Sequence, residues 1–325
     1  MNYRELGKTG IKVSEIGFGT WGIGGATDDG PNSYGVTDDK ASLKALKRAF
    51  ELGINFYDTS NIYGYGHAEE LLRDAFHDKR EKVVIASKVG FIKHGGPWRL
   101  EPEYVRDELG KTLNRLGTDY IDLYQVHSAP LTMFEEHPEY IEVFKELKKE
   151  GKIRAYGYSI KSPDEGFIAI NEYGFEALQV NFNLIDQRAV ENGLFDLAKS
   201  KGIGIIARTP FSFGFLTDTI SDLNFPKDDH RSAWPKEQLE LWARAPKLFE
   251  FLRKGKDWTA AELALKFCIS FDAVSSVIPG ILTPEQAEEN AEASERPLLT
   301  DDEIKRAVKV YKSHTFFDRS LLVKK

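Results

Sequence analysis

Cysteine occurs once in this sequence, at Cys268, so no disulfide can form within the chain and a thiol nucleophile has a single candidate. That candidate lies in an apolar helical pattern with Ala264, Leu265, Phe267 and Ile269, the setting of a buried structural thiol. No uninterrupted apolar stretch approaches the roughly 18 residues of a spanning helix, and Met1 to Thr20 has no apolar signal core. The expected location is therefore cytoplasmic, with no membrane partner. Basic excess is missing too: 44 Lys and Arg against 51 Asp and Glu leave a formal charge of −7. The cations are interspersed with acids, as in Phe144 to Lys152, which argues against nucleic acid as a partner. His67-Ala68-Glu69-Glu70 is too closely set for a two-histidine zinc motif, and His94, His230 and His314 belong to no ligand pattern, so no metal is expected. A serine hydrolase would need a G-x-S-x-G elbow, and the sequence has none.

What is present is an apolar fraction of 41% with 29% charged residues, ample for a core. Short apolar runs near residues 16, 54, 83, 120, 153, 177, 204 and 274 alternate with helical periodicity at Lys40 to Leu52, Ala68 to Phe76, Pro102 to Leu116, Tyr140 to Glu150, Asp164 to Tyr173, Val190 to Ser200, Thr259 to Phe271 and Pro284 to Ala293. Eight alternations without a long linker predict an α/β fold: a (β/α)₈ barrel in a single domain spanning 1–325. Arg4 to Val13 reads as an amino-terminal hairpin turning at Gly7 and Gly10, and Asp301 to Ser313 as a helix outside the repeat. Capping boxes are expected at Ser162, Thr259, Thr283 and Thr300. Insertions follow the first strand (Gly22 to Asp39), the third (Gly90 to Leu100) and the seventh (Thr217 to Lys256). The last is read as a loop over the strand ends, a lid or substrate wall.

Ligands of such sheets sit beyond the carboxyl ends of the strands. There the runs end on Asp58, Lys88, His127 and Ser159, and Tyr63 follows the first. A tyrosine serves as general acid toward a carbonyl if a lysine ammonium lowers its pKa, an aspartate would hold that lysine charged, and a histidine would orient the carbonyl oxygen. Taken singly, each residue also has an ordinary packing role: a turn cap for Asp58, a surface lysine, a rim tyrosine, a hydrogen-bonded core histidine. The argument for chemistry is their convergence. Gly17-Phe18-Gly19-Thr20-Trp21-Gly22 fits G-x-G-x-x-G, but the Gly, Asp and Pro of Ile23 to Tyr34 cannot open the helix that a phosphate cradle needs. Ile278 to Gln286, where a strand meets a capped helix, is either an anion site or a plain turn with a good cap.

Gly53-Ile54-Asn55-Phe56-Tyr57-Asp58-Thr59-Ser60 followed by Tyr63-Gly64 resembles the signature of the aldo-keto reductase superfamily, and the likeness runs from Tyr3 to Asn290. The resemblance implies a (β/α)₈ barrel that binds a nicotinamide cofactor without a Rossmann domain, with the catalytic tetrad on Asp58, Tyr63, Lys88 and His127. It implies that Ser159 and Gln179 hold the carboxamide and that Arg208, Pro210, Phe211, Gly214, Phe215 and Leu216 wrap the pyrophosphate. Gly280, Thr283, Gln286, Glu289 and Asn290 would line the adenosine end, with Gly19, Thr20, Trp21 and Asp58 bordering the cofactor. Trp21, Tyr63, Phe91, Trp98 and His127 would contact substrate. Three positions depart from the pattern: Ile160 replaces the Asn of a Ser-Asn pair, Arg208 a stacking tyrosine, and Leu282 the Arg or Lys that relatives place against a 2′-phosphate. The expected activity is reduction of an aldehyde or ketone, with NADP(H) favoured and NAD(H) as the alternative. Sugar or alcohol oxidation with NAD, or a nucleotide-binding regulatory subunit, are the other readings; substrate identity and oligomeric state are left open.

Overall fold

The computed structural model describes residues 1–27 and 33–318, so part of the first insertion (28–32) lies outside the described residues. A two-stranded antiparallel hairpin, β1 (Tyr3–Glu5) and β2 (Lys12–Ser14), precedes eight parallel strands: β3 (Phe18–Gly19), β4 (Phe56–Asp58), β5 (Val84–Val89), β6 (Ile121–His127), β7 (Ile153–Ser159), β8 (Ala177–Asn181), β9 (Gly204–Arg208) and β10 (Val274–Ile278). Each pairs with its neighbour in chain order, and parallel bridges Ile16–Val277 and Gly19–Gly280 join the first strand to the last. The expected (β/α)₈ barrel with its hairpin is what forms. The interior below the site is filled by Phe56, Val84, Ala86, Leu123, Ala155, Ala177 and Ile206, which pack on Leu6, Ile11 and Val13 of the hairpin. The hairpin thus plugs the amino-terminal end.

The helices are α1 (Asp39–Glu51), α2 (His67–Phe76), α3 (Pro102–Leu116), α4 (Thr132–Glu136), α5 (Glu139–Lys149), α6 (Pro163–Asn171), α7 (Arg188–Glu191), α8 (Leu194–Lys201), α9 (Lys236–Phe249), α10 (Ala260–Ile269), α11 (Pro284–Glu295) and α12 (Asp301–Lys312). Capping boxes close at Ser162, Thr259 and Thr300 as expected. Thr283 caps α11 through the Gln286 amide, but the Gln286 side chain accepts from Leu282 N–H at 2.7 Å and leaves the box half made.

The larger correction concerns 217–256, which is not only loop. It carries the fourteen-residue α9, which buries Gln238, Leu239, Trp242, Ala245 and Phe249 despite Pro246 inside it. Pro246 is the local signal against a helix here, because proline removes a helical N–H and usually breaks the helix. Here tertiary packing overrides that cost: Trp242 is fully buried, with ring centroids 5.0 to 5.7 Å from Trp234, Phe213, Phe215 and Phe317. The insertion also reaches the first one, where Asp229 bridges Ser33 and Tyr34 and the His230 amide donates to the Ser33 carbonyl at 3.0 Å.

Candidate active site

Residues two apart on a strand share a face. Asp58 therefore lies above Phe56, Lys88 above Val84 and Ala86, and Gln125 and His127 above Leu123, so the apolar barrel filling gives way to polar groups at the carboxyl-terminal end. Lys88 is fully buried. Its Nζ donates to Asp58 Oδ1 at 2.5 Å, the Thr59 carbonyl at 2.9 Å and the Tyr63 hydroxyl at 3.2 Å, so all three ammonium hydrogens are used. The other carboxylate oxygen of Asp58 accepts from Gln179 Nε2 at 2.7 Å and Gln125 Nε2 at 3.1 Å. An ion pair this deep persists only because its remaining lone pairs and protons are satisfied. Burial opposes the Lys88 charge, but Asp58 and Tyr63 outweigh it and hold its pKa above the ordinary lysine value.

Tyr63 opens the turn Tyr63–Gly66, where Gly64 has φ 59° and a Cβ would stand 2.1 Å from the Gly24 carbonyl, so only glycine fits. Its pKa is not lowered as the sequence suggested. Burial pushes the phenol up; Lys88 pulls the other way, but that ammonium is already paired with Asp58, whose own charge opposes the phenolate. Tyr63 is thus a protonated donor at neutral pH. His127 ends β6 with Nδ1 3.1 Å from Ser60 Oγ. Burial first, then the charges of Lys88, Arg208 and His94, drives it well below the ordinary histidine pKa, so the imidazole is neutral.

The expected aromatic wall assembles beside it. Phe91 stands edge-on to His127 at 4.8 Å, Phe91 packs on Trp98 at 5.1 Å, and Trp98 Nε1 donates to the His127 carbonyl at 3.1 Å. Trp21 and Tyr63 share a crevice with Ile62, Gly64 and His94. A roomier cavity of about 500 Å³ opens in the insertion between Asp222, Phe225, Trp234 and Leu239. None of the tetrad lines it, so size alone does not make it the site.

The cofactor candidates occupy the same end of the barrel in different states. Gly19 pairs with Asp58 and Gly280, and both the amide and the hydroxyl of Thr20 donate to the Asp58 carbonyl. Ser159 Oγ lies 3.4 Å from Gln179 Oε1, while the Gln179 amide nitrogen is committed to Asp58. After Arg208 the backbone takes positive φ at Thr209 and, within the Pro210–Leu216 stretch, at Ser212, Phe213 and Gly214, the kind of stored strain that concentrates at ligand clamps. The side chains of Phe215 and Leu216 are buried in the core, which leaves only their main chain to face a ligand, whereas Phe211 is half-exposed. Asn290 is buried and Glu289 half-buried on α11. Leu282 packs over Gly22 beside Tyr34, whose ring carries the Arg231 guanidinium 5.1 Å from its centroid.

Sequence reasoning missed Gln125, which shares the Asp58 carboxylate with Gln179, although its place two residues before His127 on one strand was a signal. It also missed Ser60 as the partner of His127. Tyr34 and His230 had no local signal: they meet Trp21 at 5.0 and 4.8 Å across the two insertions. A nicotinamide cofactor fits this end of the barrel on two observations: the strained turn after Arg208, and the Arg208 Nε, which is enclosed and meets no acceptor.

A family model described as aldo/keto reductase family matches residues 15–312. An uncharacterized oxidoreductase of Bacillus subtilis, YqkF, is 32% identical over 97% of this chain and 99% of its own. An NADH-specific methylglyoxal reductase of Escherichia coli is 31% identical over 89% of this chain and 92% of its own. Among solved structures, a glycerol dehydrogenase of Gluconobacter oxydans superposes with a TM-score of 0.80 at 27% identity, covering 97% of both chains.

Proposed function

This chain belongs to the aldo/keto reductase family and is an NAD(P)H-dependent oxidoreductase, and from that premise we propose that it reduces a small aldehyde or ketone to an alcohol, with Tyr63 as the proton donor. The whole chain would act as one domain. The observation that carries the reading is the hydrogen-bonded file Asp58–Lys88–Tyr63, 2.5 and 3.2 Å between heavy atoms, beside a neutral His127. The cofactor would supply hydride to the carbonyl carbon. Ser159, Gln179 and Arg208 would orient its nicotinamide, and the turn from Pro210 to Leu216 its pyrophosphate. Substrate would sit under Trp21, Phe91 and Trp98. In the tautomer that takes the Ser60 proton at Nδ1, 3.1 Å away, His127 carries its own proton on Nε2 and would hold the substrate oxygen by a hydrogen bond. As charge grows on that oxygen, the Tyr63 proton moves to it, and Lys88 stabilises the phenolate left behind. Asp58, tied by Gln125 and Gln179, keeps Lys88 charged and in place. The acid is strengthened at the moment of transfer rather than in the resting site, where burial keeps the phenol protonated.

NADP(H) is the carrier favoured by family likeness. NAD(H) is the alternative, supported by the apolar Leu282 and by the NADH-specific relative. The test is turnover of short aldehydes with NADPH and NADH by purified wild-type and Tyr63→Phe protein, with cofactor affinity by fluorescence titration. The substitution is expected to lower kcat by at least about a hundredfold, the usual range for losing a general acid, with cofactor Kd unchanged. A variant that turns over like wild type overturns the assignment.

A further inference from the structure

Arg208 is the last residue of β9, in register with Asn181 on one side and Ile278 on the other. Its guanidinium has one protein acceptor, the Ile160 carbonyl at 3.2 Å from Nη2, and Nε is enclosed without one. It makes no ion pair among the described residues. Asp186, whose charge reaches it, is held by Arg188 through two contacts of 2.7 Å, and Asp58 is held by Lys88. The site therefore carries Lys88 and Arg208 against Asp58, two positive groups against one negative, with His127 neutral and Tyr63 protonated. One positive charge has no acid paired with it, on a half-buried side chain whose Nε is enclosed, where charge interactions are stronger than in bulk water.

A nicotinamide ring bound at this end of the barrel would lie within its field. A carbonyl oxygen bonded to Tyr63 and His127 fixes the carbonyl carbon, and hydride transfer needs the donor carbon within about 3–3.5 Å of it. The Arg208 charge is felt at Tyr63, Asp58 and His127, which surround that point. The dihydronicotinamide ring is neutral. It becomes a cation when its C–H bond breaks, the electron pair and hydrogen going to the carbonyl carbon while the Tyr63 proton goes to the oxygen.

We propose that Arg208 sets the preference of this protein for the oxidation state of its cofactor, its unpaired charge disfavouring the cationic oxidised ring against the neutral reduced one. The protein then binds the reduced cofactor more tightly than the oxidised one. This rests on the carbonyl-reductase reading above and adds to it how the site discriminates between the two forms of the carrier.

The test is the dissociation constant of each oxidation state of the same carrier, by quenching of tryptophan fluorescence, for wild type, Arg208→Lys and Arg208→Gln. Wild type is expected to bind the reduced form at least about tenfold more tightly. Arg208→Gln should lower that ratio about tenfold, equivalent to about 1.4 kcal/mol or about 30 mV in the potential of the bound couple, and Arg208→Lys should keep most of it. Equal affinities in wild type, or a Gln variant in which both constants rise together at an unchanged ratio, overturn the proposal while leaving the reductase reading standing. Failure of wild type to bind either form overturns both.

Discussion

The chemistry of single residues here is set by burial more than by neighbouring charge. Burial leads the causes acting on Tyr63, Lys88 and His127, and only for Lys88 do its partners win. His230 shows the same physics where stability can report it. Its imidazole is 11% exposed, packs between Trp21 and Tyr34, and is driven by burial to a pKa of about 4, with Asp229 opposing and Arg231 and His94 adding to the shift. Between about pH 6.5 and 4 the unfolded chain binds a proton at this residue that the folded protein refuses, so stability is lost as pH falls through that window. Unfolding free energy from urea titration is expected to drop by about 2 kcal/mol from pH 7 to pH 5 through His230, with His127 adding to the loss. His230→Gln should flatten the profile, and an equally steep profile in that variant would show that other groups control it.

At the scale of elements, the insertion helix α9 is the feature that local signals obscured and packing enforces. Trp242 is its anchor, and its Nε1 is enclosed without an acceptor. Trp242→Ala should cost about 3–5 kcal/mol, the range for emptying a buried aromatic site. Trp242→Phe should cost well under half of that, since it keeps the ring contacts and removes the orphaned donor. Chemical denaturation of the two variants checks this, and equal losses would mean that the indole itself is required. The strands and the capped helices were legible because period, caps and turns are local properties: three of four expected capping boxes close, and each strand appears near its expected position. Boundaries shifted where a second element intervened, as with α4 before α5 and the division of Val190 to Ser200 between α7 and α8.

Across the whole molecule, the polar cluster around Lys88 and the hairpin plug lie at opposite ends of the barrel. Gly7, at φ 56° in the hairpin, lies so close to β9 that a Cβ would stand 2.4 Å from the Gly204 nitrogen and 2.5 Å from the Gly202 carbonyl. Arg4 ties the same hairpin to the carbonyls of Ile269 and Val274. Gly7→Ala should destabilise the fold by more than about 2 kcal/mol, from strained backbone and displacement of the plug, while kcat/KM of the folded fraction stays within about twofold, because sites of this fold sit at the far end. Thermal melts and steady-state rates on one preparation separate the two effects, and parallel loss of both would show that the plug shapes the site. The sequence by itself determined the barrel and the meeting of Asp58, Lys88 and Tyr63 at one end of it, because strand and helix periods are written residue by residue and strand ends converge in any such sheet. Only the tertiary structure decided that Tyr63 rests with a raised pKa, that Gln125 and Gln179 share the Asp58 carboxylate, that the enclosed Arg208 Nε meets no acceptor among the described residues, and that Asp229 and His230 meet Ser33 and Tyr34. Those are matters of burial and of contacts between segments far apart in the chain, and no local pattern encodes the dielectric or the partner that a side chain will meet.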